Sequence, residues 1–118
     1  MITITYTDEN GVLSVTVKGH AGSAPRGEDL VCAGATMLAY TLAQNVRDKR
    51  RALKGRPKIQ LNEGDIIIRC RPKDRYFDRI KATFEDICTG YRLMAHNFPD
   101  CIQYQHESVD INSTESSA

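Results

Sequence analysis

The 118-residue chain predicts an α/β (α+β) fold: a two-layer sandwich with two helices packed on one face of a mainly antiparallel sheet, in the order ββαββαβ. Three observations predict it. Two pairs of short β-branched runs are each joined by turn residues, two longer segments repeat apolar residues at helical spacing, and no repeat or internal linker divides the chain.

The elements follow in order. ITITY, up to Tyr6, alternates as a strand, DENG supplies turn chemistry, and VLSVTV resumes the alternation with Leu13, Val15 and Val17 on one face. Three glycines and a proline between Gly19 and Glu28 interrupt any period, so a mobile loop is expected there. Asp29 reads as an N-cap, after which Val31, Ala35, Leu38, Leu42 and Val46 mark a first helix running to a Lys/Arg-rich end before Gly55 and Pro57. Lys58 to Leu61 and Asp65 to Arg71 read as two strands around NEGD, and Pro72 ends the second. Phe77, Ile80, Phe84, Ile87, Tyr91, Met94 and Phe98 step by three or four residues, which predicts one long helix from about Asp74 to Asn97. Cys101 to Gln105 adds a short last strand. The domain is thus expected to span 1–106, with 107–118 a polar, disordered tail.

Composition narrows the function. With 41% hydrophobic residues, 26% charged residues and a net charge of +1, nothing pulls the whole molecule toward nucleic acid or a membrane. MITITYTDENG has neither a basic nor an apolar leader region and no run is long enough to span a bilayer, so a cytoplasmic location and no membrane partner are expected. The four cysteines, 32, 70, 88 and 101, are widely spaced and read as free thiols.

One stretch concentrates reactive chemistry. In GHAGSAPRGEDLVCAGAT, from Gly19 to Thr36, His20 closely follows a strand and Cys32 falls at the third position of a helix capped by Asp29. A thiol there lies among backbone N–H groups without intrahelical partners, which favours the thiolate. Thiolate attack on a carbonyl, proton transfer through an imidazole and oxyanion stabilisation by helix-start N–H groups together make acyl transfer. Asp29 can accept the Cys32 N–H or orient His20, though its charge opposes the thiolate unless paired with imidazolium. Thr36 adds a hydroxyl one turn on. The same residues read equally as a core cysteine and an exposed loop histidine.

Gly19-His20-Ala21 closing a strand, followed by Gly27-Glu28-Asp29-Leu30-Val31-Cys32-Ala33 opening a helix, resembles the ribosomal-processing cysteine protease family, Prp. The resemblance covers roughly residues 1 to 105 and is specific in 19 to 36. It implies a cysteine endopeptidase with His20 as general base, Cys32 as nucleophile and Asp29 in a supporting acidic position. It also implies a protein substrate: the N-terminal extension of a large-subunit ribosomal protein or, in related forms, a phage scaffold or capsid protein. A homodimer is implied too, with a flap over the cleft that would hold Gly22, Ser23, Pro25, Arg26 and Gly27. The chain departs from the family's usual Ala-Ala/Val-Ser after the cysteine, having Ala33-Gly34-Ala35-Thr36, and its flap lacks the aromatic or acidic residues expected there.

Other features weigh less. Seven cations among the twelve residues Arg47–Lys58 could contact ribosomal RNA, or simply complement a helix C-terminus; a non-catalytic ribosome- or RNA-binding module of the same fold is the opposing reading. Cys88, His96, Cys101 and His106 have spacings that fit no usual zinc site, and no phosphate-binding glycine loop occurs. No cofactor or metal is expected.

Overall fold

The computed structural model describes residues 1–20 and 28–109, with Glu28, Asp29 and Val109 described by backbone alone. The elements are β1 Ile2–Glu9, β2 Val12–Lys18, α1 Glu28–Asp48, β3 Lys58–Asn62, β4 Asp65–Cys70, α2 Phe77–Asn97 and β5 Ile102–Val109, which is the expected ββαββαβ order. Short 3-10 turns at Arg50–Ala52 and Asp74–Tyr76 flank the second hairpin.

One sheet runs in the order β3-β4-β2-β1-β5. The β1–β2, β2–β4 and β3–β4 pairs are antiparallel, whereas β1 and β5 are parallel. The first hairpin turns on Asn10 and Gly11, with φ of 53° and 80°. A two-residue turn with both centres left-handed matches the right-handed twist of the strands it joins, and Asn-Gly is the pair that tolerates it.

Alternation decides which side of the sheet is covered. Ile2, Ile4 and Tyr6, with Leu13, Val15 and Val17, and Ile66, Ile68 and Cys70, are all buried. Thr3, Thr5 and Thr7 take the other face, where Gln105 donates to the Thr5 hydroxyl at 3.1 Å. Val31, Ala35, Ala39, Leu42 and Val46 of α1, and Ile80, Phe84, Ile87, Cys88 and Tyr91 of α2, close the core from above. The helices run antiparallel and close together: Met94 packs over Gly34 and Leu38 over Gly90, each filling the space a Cβ would need. Gly34, which weakens the helix by roughly 1 kcal/mol relative to alanine, is therefore explained by a neighbour on α2. Inside this seam the Tyr91 hydroxyl donates to the Ala35 carbonyl at 2.9 Å.

Three expected boundaries need correction. Helix α1 begins at Glu28 and ends at Asp48, so Asp29 lies inside the helix rather than capping it, and Cys32 is the fifth helical residue rather than the third. The second long helix is preceded by a 3-10 turn, so its α-helical part starts at Phe77. The last strand runs to Val109 instead of Gln105, which takes residues 107–109 out of the expected tail; residues 110–118 lie outside the described residues. Eight-residue parallel pairing with β1, from Ile2↔Ile102 to Glu9↔Val109, supplies the hydrogen bonds that hold this polar sequence extended.

Burial pushes the Cys70 thiol up to about 12 and the Cys88 thiol up to about 11. Both are raised above the unfolded value of roughly 8.5, so their stabilising effect is complete below that pH and is lost as pH rises through the folded values. Urea midpoints are expected to fall between about pH 8.5 and about pH 10.5, and to fall less in a Cys70→Ala, Cys88→Ala double variant. Tyr91→Phe is expected to cost about 1 kcal/mol at neutral pH, read from the urea midpoint at unchanged slope, because the Ala35 carbonyl keeps its own helical donor.

Candidate active site

The end of β2 is tied to the turn between β3 and β4. Lys18 pairs with Asp65 both in strand register and through an ion pair, which holds the Asp65 carboxyl below its ordinary range. Gln60 donates to the same carboxylate at 2.7 Å. One residue on, the Gly19 N–H donates to the Gly64 carbonyl at 3.0 Å. Gly19 has φ of +94°, and a Cβ there would be driven into the Met1 carbonyl, so glycine is required on two counts. The Met1 nitrogen donates to the His20 carbonyl at 2.8 Å. His20 is thus delivered by a strand end whose backbone is held from both sides.

The imidazole sits at a cleft of about 510 Å³. Cys32, Ala33, Thr36, Met37 and Tyr40 of α1 form one wall, Leu61 to Gly64 the facing wall, and Ile2, Val17 and Ile66 part of the floor. Cys32 is half-buried and packs against the core; Thr36, one helical turn later, is also half-buried. Cys70 and Cys88, by contrast, are fully buried thiols.

Of the residues singled out from sequence, the fold brings His20, Cys32 and Thr36 to this one cleft. Asp29 lies one turn before Cys32 in the backbone of α1, with its side chain outside the description. Gly22, Ser23, Pro25, Arg26 and Gly27 lie outside the described residues. The first turn of α1 among the described residues is Glu28 through Val31, immediately before Cys32, and helical side chains lean back toward that end. A sulfur and an imidazole at one apolar-walled cleft are parts that acyl transfer through a thiol uses.

Sequence reasoning missed the facing wall and half of the helix wall. Asn62, Glu63 and Gly64 read as turn chemistry only. Met37 and Tyr40 were legible as apolar residues off the buried stripe of α1, and they are 63% and 45% exposed. Elsewhere, Cys88 is buried beneath α2, His106 stacks on Tyr6 with ring centroids 4.6 Å apart, and no group of three or more potential metal ligands occurs among the described residues. The basic stretch begins in the last turn of α1, about 22 Å along the helix from Cys32 at 1.5 Å per residue, and so belongs to the other end of that helix.

Several known proteins are similar to this chain. The ribosomal processing cysteine protease Prp of Bacillus subtilis (strain 168) is 45% identical over 38 residues, 32% of this chain and 34% of that protein, so the chain spans about a third of that relative's length in the match. An essential ribosomal processing protease Prp from S. aureus in complex with a substrate peptide shares the fold, with a TM-score of 0.71 at 22% identity over 91% of this chain and 100% of that one. The S. aureus protease with a covalently linked product peptide gives 0.67 over the same shares at 22% identity. A protein from Streptococcus mutans gives 0.70 at 23% identity over 92% and 96% of the two chains. Residues 1–103 match the model of the family described as cysteine protease Prp. With that match covering nearly the whole described fold, the chain belongs to the Prp cysteine protease family.

Proposed function

We propose that the chain is a cysteine endopeptidase in which Cys32 attacks the scissile carbonyl and His20 takes the thiol proton, later returning it to the leaving amine. The observation that carries this reading is that a histidine and a half-buried cysteine, eleven intervening residues apart in sequence, line one cleft from opposite structural elements. Helix-start N–H groups of Glu28 to Val31 would stabilise the tetrahedral oxyanion. Asp29 and Thr36 are assigned supporting roles, the first orienting the imidazole and the second offering a hydroxyl beside the thiol. Residues 22–27 are assigned to the segment over the bound substrate.

The proposed substrate is an extended protein segment, specifically the N-terminal extension of a large-subunit ribosomal protein precursor. Support comes from the ribosomal-processing names of the relatives and from the peptides bound to the S. aureus protein. The cleft suits such a ligand. Strand β3 is a sheet edge whose last residues, Leu61 and Asn62, line the cleft, so its backbone can pair with an extended chain, while Met37, Tyr40 and Leu61 accept apolar side chains. A second copy of the chain is the proposed partner, with exposed Leu30 on α1, Leu93 on α2 and Phe98 just after α2 as candidate contacts. The cluster Arg47–Lys58, of which Arg47, Arg50 and Arg56 line a shallow groove, is the proposed contact to ribosomal RNA.

Site-by-site alkylation read by mass spectrometry tests the nucleophile without a substrate. At about pH 6 to 7 Cys32 is expected to react faster than Cys70 and Cys88, and His20→Ala removes that advantage. Cleavage of a synthetic peptide spanning the ribosomal extension is expected to vanish in Cys32→Ala and to fall by about 10²-fold or more in His20→Ala. A Cys32 as slow as Cys70 toward a small alkylator would make it a core thiol and sink the reading. For the basic end, Arg50→Glu with Arg51→Glu is expected to elute from heparin at distinctly lower salt than the native protein, and equal elution would remove the RNA contact.

A further inference from the structure

The cleft holds a device that the catalytic reading does not use. Gly64, in the turn between β3 and β4, has φ of +71°, and the place a Cβ would occupy there is taken by the His20 ring, with the Cε1 and Nε2 atoms nearest and Cδ2 at 3.2 Å. The imidazole therefore rests directly on a bare α-carbon. The same residue accepts the Gly19 N–H through its carbonyl, so one glycine fixes both the backbone that delivers His20 and the surface on which its ring lies. The turn itself is anchored by Lys18 and Gln60 on the Asp65 carboxylate.

We infer that Gly64 is a positioning residue for His20, beside the proposed Asp29: the space left by its missing side chain holds the imidazole at the cleft, and a side chain at position 64 displaces the ring from its proposed partner Cys32. This rests on the proposed His20–Cys32 pair and names the element that aligns it. Catalytic imidazoles are commonly oriented by a hydrogen-bonded partner, but among the described residues no side chain hydrogen-bonds the His20 ring. A ring seated against backbone loses rotamer freedom through packing alone. Gly64 and Cys32 line the same cleft as the imidazole. Among the described residues, the titratable side chains sharing this cleft with His20 are Cys32, Tyr40 and Glu63.

The fold supplies its own control. Gly55 has the same φ, +71°, with nothing within 4 Å of where its Cβ would stand. Gly55→Ala thus carries the left-handed backbone strain of Gly64→Ala without touching the imidazole. The experiment measures Cys32 alkylation rate against pH in the native protein, His20→Ala, Gly64→Ala and Gly55→Ala, with thermal unfolding of each. If Gly64 positions the ring, Gly64→Ala slows Cys32 at pH 7 by about fivefold or more, approaching His20→Ala, because a displaced imidazole no longer takes the thiol proton. Gly55→Ala keeps the native profile despite a similar loss of melting temperature. Should Gly64→Ala not fold, Gly64→Asn replaces it, because asparagine tolerates the left-handed region while bringing the same Cβ against the ring.

The outcomes separate the two claims. A Gly64 variant that matches Gly55→Ala, while His20→Ala is slow, overturns the positioning role and leaves the His20–Cys32 pair standing. A His20→Ala profile identical to the native one overturns the pair, and the positioning inference with it.

Discussion

The hydrogen bond from Gly19 to Gly64 is where the sheet becomes a site. Strand β2 sits between β4 and β1, so its end can be held on both sides: by the β3–β4 turn on one flank and by the start of β1 on the other. Both contacts demand that the residue after Lys18 carry no side chain, because the backbone there is left-handed and the space is filled by the Met1 carbonyl. A glycine is normally a loss of order in a strand, costing about 0.5 to 1 kcal/mol relative to alanine. Here that cost places the next residue, His20, at the cleft beneath α1.

The cysteines are separated by burial. Cys70 faces the helices from β4, and Cys88 faces the sheet from α2; with little water and no cation beside it, Cys70 keeps its proton well past neutral pH, and the same burial dominates at Cys88. Cys32 lies on the same kind of apolar helix face, yet at a helix start that opens on a cleft. What sets Cys32 apart from the two buried thiols is its place at a cleft, since Val31 and Ala35 on the same helix are as buried as any core residue.

Much of this was legible in the sequence. Period-two and period-3.6 patterns found the five strands and both helices, because most of them carry one apolar face: Leu13, Val15 and Val17 on β2, or Ile80, Phe84, Ile87 and Tyr91 on α2. The length of β5 was not legible, because its inward column passes from Ile102 through Tyr104 to His106, and a histidine stacked on Tyr6 does not register as core in a hydropathy pattern. At the site, His20, Cys32 and Thr36 were visible as chemistry within one short stretch. The facing wall was invisible, since it comes from residues more than forty positions later whose letters, Asn-Glu-Gly, announce a turn and nothing else. Local signals encode what a residue can do, while the partner that holds it in place is set by strand order, which a single sequence encodes only through the summed patterns of distant segments.

The walls of the cleft carry a final constraint. Met37 at 63% and Tyr40 at 45% exposure stand outside the core, although α1 has a full apolar stripe without them and polar residues there would make an equally stable helix. Apolar surface left in water costs roughly 25 cal/mol per Å² against burial, so a wall of this kind gains its free energy when a ligand covers it. An extended polypeptide, the proposed ligand, would satisfy both sides of the cleft at once: its side chains would displace water from Met37, Tyr40 and Leu61, and its backbone amides would meet the edge of β3, which has no outer strand neighbour among the described residues. A small polar molecule would satisfy neither. The apolar walls thus favour the same class of ligand as the proposed thiol and imidazole chemistry.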